Sequence, residues 1–205
     1  MREIGLYVTA ACNWHCRDCS QAPWMRDRAG WSLGLDALDA TLARIAAVGG
    51  YRRIVLTGGE PTLWPYLLPA LVRIREAGLA AGLNSNGTAP ALVRRATAAG
   101  LIDRVCPNVA PRHLPLPAAP LDNVLPPVCG CPRHTVMGDE VAVCGNWYSV
   151  SRRTGLDPAA GLCPIGEDWR RAFAHAAIEG FPWPQCAACH CNARIHPRPS
   201  RRPPP

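Results

Sequence analysis

Apolar positions along the first half of the chain change their period in a regular order. Ile4 to Thr9 is a short apolar run with Gly5 and Tyr7, the pattern of a buried strand. Over residues 33–47, Leu35, Leu38, Leu42 and Ile45 recur three, four and three apart and predict one face of a helix, with Ser32 as its N-cap and Gly49-Gly50 as its stop. Arg53 to Thr57 predicts a second strand. Pro65 opens the next predicted helix, whose apolar face is Leu67, Leu68, Leu71 and Ile74 and whose end is Gly78. Leu79 to Leu83 is a third strand, Pro90 to Ala99 a third helix closed by Gly100, and Ile102 to Val109 a fourth strand. Strands alternating with helices in this way predict an α/β fold on a parallel sheet with helical crossovers.

The second half has a different texture. Residues 111–128, PRHLPLPAAPLDNVLPPV, are rich in proline and read as an extended linker or irregular wall. Met137-Gly138-Asp139-Glu140 is a turn and Val141 to Val143 a short strand, so a hairpin is expected there. Residues 168–179, with Trp169, Phe173 and Ile178, predict a helix. The tail HPRPSRRPPP is expected to be disordered. The expected organisation is a core over 1–110, a Pro-rich linker or wall over 111–128, a small Cys-rich subdomain of hairpin and helix over 129–196, and a tail over 197–205.

Composition narrows the class. A chain of 205 residues with 48% hydrophobic content suits one compact domain with a modest appendage. The formal charge is +7, and all 22 cations are Arg. No basic run is interleaved with aromatics, so the charge is read as a solvated surface and nucleic-acid binding is not expected. MREIGLYVTAACN is not a signal peptide, and no apolar run of about 18 residues is present to span a membrane. A cytoplasmic setting is therefore expected. In that setting, 11 cysteines speak for metal ligation rather than disulfides.

Cys12, Cys16 and Cys19 stand within CNWHCRDC, separated by three and then two residues. Three thiols alone suit a structural zinc knot, half of a disulfide framework or the seat of a reactive cluster, because zinc usually takes four ligands. Two other unusual stretches also follow strands: Thr57-Gly58-Gly59-Glu60-Pro61 after the second, and Asn84-Ser85-Asn86-Gly87-Thr88 after the third. In a parallel sheet all three crowd the C-terminal edge, where ligand sites of α/β folds form. Three thiolates on one loop can wrap a cubic iron–sulfur cluster and leave one iron without a protein ligand. Gly58 and Gly59 let backbone approach a ligand closely. Glu60 offers a carboxylate to an ammonium group, and Asn84, Ser85 and Asn86 offer partners for ribose hydroxyls. Taken singly, the glycines are also compatible with a plain turn, Glu60 with a helix cap, and Asn86-Gly87 with an ordinary turn pair.

CX₃CX₂C, then GGEP, then an S/T-N-G turn, in this order on successive strands, resembles the radical S-adenosylmethionine (radical SAM) superfamily over residues 4–109. Chance placement of 11 cysteines in 205 residues gives roughly 0.03 matches to the cysteine motif alone. The resemblance implies a shortened, partial (β/α) barrel of about four units. It implies that Cys12, Cys16 and Cys19 bind a [4Fe–4S] cluster whose open iron chelates S-adenosylmethionine. It implies an external electron donor such as a flavodoxin or ferredoxin, reductive cleavage to a 5′-deoxyadenosyl radical, and hydrogen abstraction from a peptide or small-molecule substrate. Gly58, Gly59, Glu60 and Pro61 would hold the methionine amine, and Ser85 and Asn86 would lie near the ribose or methionine carboxylate. The residue before the third cysteine, usually bulky in the family, is Asp18 here, which leaves the adenine contact to Trp14 or a residue beyond Cys19.

A hairpin with flanking thiols, a helix and Cys186-x-x-Cys189 resembles the twitch auxiliary-cluster subdomain, a shortened relative of SPASM. On that resemblance Cys131, Cys144, Cys186 and Cys189 hold a second [4Fe–4S] cluster, with Cys129 and Cys191 competing for ligand roles. A Cys₄ zinc site has the same spacing logic. Cys106 and Cys163 read as apolar thiols. Trp147, Tyr148 and Arg152 are candidates for a substrate wall, with core packing the commoner use of the two aromatics. Two other functions remain open: an activating enzyme that places a glycyl radical on a partner, and a non-catalytic iron–sulfur or zinc scaffold.

Overall fold

The computed structural model describes residues 3–15, 19, 21–107, 134–142, 144–155 and 157–165. Strand β1 (Glu3–Thr9) is buried from Ile4 onward, on both faces. That requires a central place in a covered sheet. It has one: β1 lies between β2 (Arg53–Gly58) and β5 (Thr135–Met137) in a seven-stranded sheet of order β4-β3-β2-β1-β5-β6-β7. β3 is Ala80–Ser85 and β4 is Arg104–Pro107. From β4 to β5 every pairing is parallel. β6 (Glu140–Ala142) and β7 (Leu162–Pro164) are then added antiparallel. The expected hairpin is present as β5 and β6, with Met137 opposite Glu140. It continues the sheet of the N-terminal half: Gly5 pairs with Thr135 and Leu6 with Val136.

The helices are α1 (Ala22–Asp27), α2 (Leu35–Val48), α3 (Leu67–Glu76), α4 (Pro90–Ala98) and α5 (Trp147–Thr154). Leu38, Leu42 and Ile45 of α2 and Leu67, Leu71 and Ile74 of α3 pack with Ile4, Leu6, Ile54, Leu56 and Leu83 in the main core. Alternation along β1 sends Tyr7 to the other face. There it joins Ala10, Trp24, Met137, Ala142, Cys144 and Trp147 in a second, aromatic core. Tyr7 and Trp24 meet edge to face with ring centroids 4.5 Å apart.

Three local expectations are corrected. Ser32 does not cap α2; Gly34 occupies the N-cap without a side-chain bond. Residues 31–33 instead run beside β1, where Ala10 N–H donates to the Trp31 carbonyl and Leu33 N–H to that of Val8, so the helix starts later. Pro65 does not open α3. A 3₁₀ turn over Pro61–Leu63 comes first, and α3 begins at Leu67. Leu68 turns outward at 36% exposure and Ala70 takes its place in the core, because residues 67, 70, 71 and 74 share a helical face and 68 does not. The C-terminal residues of the predicted fourth strand, the Pro-rich stretch 111–128, the helix over 168–179 and the tail lie outside the described residues.

Candidate active site at the strand ends

Parallel pairing brings the exits of β1, β2 and β3 to one edge, and hydrogen bonds lace the three loops together. Gly59 N–H donates to the Thr9 carbonyl and Glu60 N–H to the Ala11 carbonyl, both at 2.8 Å. Ala11 N–H in turn donates to Thr9 Oγ1 at 3.1 Å. The two glycines are required by this contact. A Cβ on Gly59 would stand 2.1 Å from the Ala11 oxygen, and one on Gly58, whose φ is +124°, would stand 2.5 Å from the Thr9 oxygen. Gly58-Gly59 thus lets the second loop lie directly on the backbone that leads into the cysteine motif.

Glu60 is the hub between the second and third loops. It is 1% exposed. Its Oε1 accepts from Thr62 N–H (3.0 Å), Thr62 Oγ1 (2.7 Å) and Ser85 Oγ (2.9 Å). Its Oε2 accepts from Asn86 N–H at 2.7 Å. The cap expected of this residue exists, on the 3₁₀ turn. Ser85 Oγ also accepts from Gly87 N–H. The third loop is joined to the first by side chains: Asn86 Nδ2 donates to Asn13 Oδ1 (2.9 Å), and Asn13 Nδ2 donates to Thr88 Oγ1 (3.0 Å). Asn84 is turned toward Thr57, with Nδ2 3.4 Å from its hydroxyl.

Cys12 and Cys19 are half-buried in the first loop. Gln21 N–H donates to Cys19 Sγ at 3.4 Å. Cys16 and Asp18 lie outside the described residues. Among the described residues no group of three His, Cys, Asp or Glu side chains stands close enough to hold a metal. Beneath the loop, Tyr7 Oη (3.0 Å) and Gln21 Nε2 (3.4 Å) both donate to the Gly145 carbonyl. Burial pushes the Tyr7 phenol well above its usual value, and the thiolates of Cys144 and Cys19 push it further. Cys144 is therefore close enough to the floor of the first loop to act on Tyr7 electrostatically, and it is buried.

The remaining cysteines separate. Cys106 is half-buried on β4, in register with Asn84. Cys163 sits on β7 opposite Val141, where burial raises its pKa. Cys129, Cys131, Cys186, Cys189 and Cys191 lie outside the described residues. Trp147 is in the aromatic core. Tyr148 Oη donates to Asp27 Oδ2 (2.7 Å) and Arg152 pairs with the same oxygen (3.1 Å), so these two side chains dock α5 on α1. Gly145 joins the site without having been expected there, and Asn13 and Thr88, which stand in the expected loops, take roles that the sequence did not assign them. Asn13 stands inside the cysteine motif, in a gap where spacing carries the signal and the intervening residue types do not.

The donor set suits an iron–sulfur cluster with a small polar ligand beside it: thiols on one loop, and hydroxyl, amide and backbone groups on the two next to it. Among the described residues no helix is long and apolar enough to cross a membrane. No curated protein matches the chain. The family model of the radical SAM superfamily matches residues 6–110, just over half of the 205. The matched span runs from β1 past β4 and contains all three laced loops; the chain belongs to the radical SAM superfamily.

Proposed function

We propose that the chain is a radical SAM enzyme acting on a peptide or small-molecule substrate held above the strand ends, with a second iron–sulfur cluster in its C-terminal part. The observation that carries the reading is the lacing of the three strand-end loops through Gly59, Glu60, Asn13 and Asn86. It supports a single ligand site because it holds the cysteine loop, the Gly-Gly turn and the Ser-Asn turn together at one edge of the sheet. Cys12, Cys16 and Cys19 would hold a [4Fe–4S] cluster. When bound there, reduced by a flavodoxin or ferredoxin, such a cluster would supply the electron for reductive cleavage of S-adenosylmethionine to a 5′-deoxyadenosyl radical that would take a hydrogen atom from the substrate.

The chain's own residues bind and orient. The N–H groups of Gly59 and Glu60 are committed to Thr9 and Ala11. The carbonyls of Glu60 and Pro61 accept from Leu63 N–H and Trp64 N–H, so within the Gly58–Pro61 stretch the Gly58-Gly59 backbone is the part that would hold the methionine ammonium. Ser85 and Asn86 stand on the loop that would meet the ribose or methionine carboxylate. Gln21 N–H, at Cys19, would stabilise a ligating thiolate.

For the C-terminal part, Cys131, Cys144, Cys186 and Cys189 are the proposed ligands of the auxiliary, twitch-like cluster, with a domain division of 1–110, 111–128, 129–196 and 197–205. Supporting this is the position of Cys144 beneath the first loop, from which an electron acceptor would be near the substrate. Anaerobic reconstitution with iron and sulfide, then reductant and S-adenosylmethionine, tests the enzyme: 5′-deoxyadenosine is expected. Its absence with the first cluster intact would leave a non-catalytic scaffold. Formation of a glycyl radical on a partner protein would favour an activating enzyme.

A further inference from the structure

We propose that Glu60 is a positioning residue of the S-adenosylmethionine site and not a contact to the ligand: its carboxylate is the strut that fixes the Ser85–Thr88 loop relative to Gly58-Gly59. The proposal rests on the function proposed above. A carboxylate waiting for an ammonium group faces open volume, and Glu60 does not. It is 1% exposed, and four donors already converge on it, from Thr62 N–H, Thr62 Oγ1, Ser85 Oγ and Asn86 N–H. All four donors are neutral, so among the described residues the buried carboxylate is satisfied by hydrogen bonds rather than by a cation. Two come from the turn that follows Glu60, one from Ser85 at the end of β3 and one from Asn86 in the loop after it. The side chain therefore spans the gap between loops that would hold opposite ends of the ligand.

Glutamine at this position has the shape of Glu60 but one acceptor oxygen and an NH₂ group. One side of the strut would then set donor against donor, either at Asn86 N–H or at Thr62 N–H, while the Thr62 and Ser85 hydroxyls can turn to accept. The third loop should loosen as a whole, affecting every ligand that uses it.

The test compares equilibrium binding of S-adenosylmethionine and of 5′-methylthioadenosine, the corresponding thioether without the amino-acid arm, to cluster-loaded wild type and Glu60→Gln. Hydrogen exchange at Asn86, Gly87 and Thr88 is read on the same samples. A strut predicts that both ligands weaken by the same factor, about tenfold, and that exchange at the three amides rises. Weakening of S-adenosylmethionine alone, with 5′-methylthioadenosine binding and exchange unchanged, would overturn the proposal and assign Glu60 to the ammonium. Thr62→Val removes one donor from Oε1 without touching a proposed ligand contact, and covers the case of a Glu60→Gln protein that does not fold. An equal, smaller loss for both ligands supports the strut, and no loss overturns it. Wild-type protein that binds neither ligand would instead overturn the underlying assignment of the site.

Discussion

Gly59 and Gly87 illustrate two different reasons for a glycine at the same edge of the sheet. Gly59 is needed for space, since any Cβ would meet the Ala11 oxygen at 2.1 Å. Gly87 is needed for its dihedral, with φ at +81° and nothing within 4 Å of the place a Cβ would take. Gly59→Ala should cost about 3 kcal/mol, because backbone must move. Gly87→Ala should cost about 1 kcal/mol, the penalty of a left-handed side chain. Urea unfolding of the two variants measures both. Tyr7 gives a pH prediction. Its folded pKa lies well above the ordinary 10.0, through burial first and the Cys144 and Cys19 thiolates second. The folded state keeps the phenol proton while the unfolded chain loses it, so this contribution is full below pH 10.0 and lost as pH rises through the folded value. Tyr7→Phe should therefore be less stable than wild type by about 1 kcal/mol at neutral pH, for the lost bond to Gly145. The gap should narrow on the alkaline side of pH 10.0 in denaturation curves taken across that range. The glycine pair and Glu60 were legible as residues of interest from their place after a strand. Their partners were not, because a hydrogen bond between residues 25 apart leaves no mark on local periodicity.

Elements follow the apolar period where one face is buried and depart from it where a loop adheres to a strand. The strands β1 to β3 and the bodies of α2, α3 and α4 keep to that period. The starts of α2 and α3 do not: the Trp31–Leu33 segment pairs along β1, and the 3₁₀ turn at Pro61–Leu63 intervenes. Helix α5 has too few apolar positions to announce itself; its Trp147 is a core residue and its polar side chains answer to Asp27. The bond from Tyr148 to Asp27 has an uncharged donor and is the directional part of that docking, and Arg152 is half exposed, where an ion pair adds little. Tyr148→Phe should lower the melting temperature, by about 1 kcal/mol of stability, and addition of salt should not remove the difference from wild type. Asn13 is the other inter-element tie. Asn13→Ala cuts both of its bonds to the third loop. Amide exchange at Thr88 should rise severalfold, while global stability, measured by urea, changes by less than about 1 kcal/mol because the bonds are exposed.

For the whole molecule, the hairpin β5–β6 is added next to β1, and this brings Cys144 under the loop that bears Cys12 and Cys19. If Cys144 serves a separate auxiliary cluster, Cys144→Ala should retain the first cluster and lower iron in the reconstituted protein from about eight to about four atoms per chain. Iron and sulfide analysis with electron paramagnetic resonance checks this, and unchanged iron would remove Cys144 from the ligand set. The order of strands and helices, and with it the gathering of three loops at one edge, follows from the sequence alone, because a run of strand–helix–strand units can pair in parallel only with every strand exit on the same side. Periodicity states which face of an element is apolar. It does not state which distant element covers that face or which polar groups meet across loops. Those depend on pairings far apart in the chain, such as Gly5 with Thr135 and Tyr7 with Gly145, and so tertiary structure alone decided that Glu60 is buried and that Cys144 lies against Tyr7.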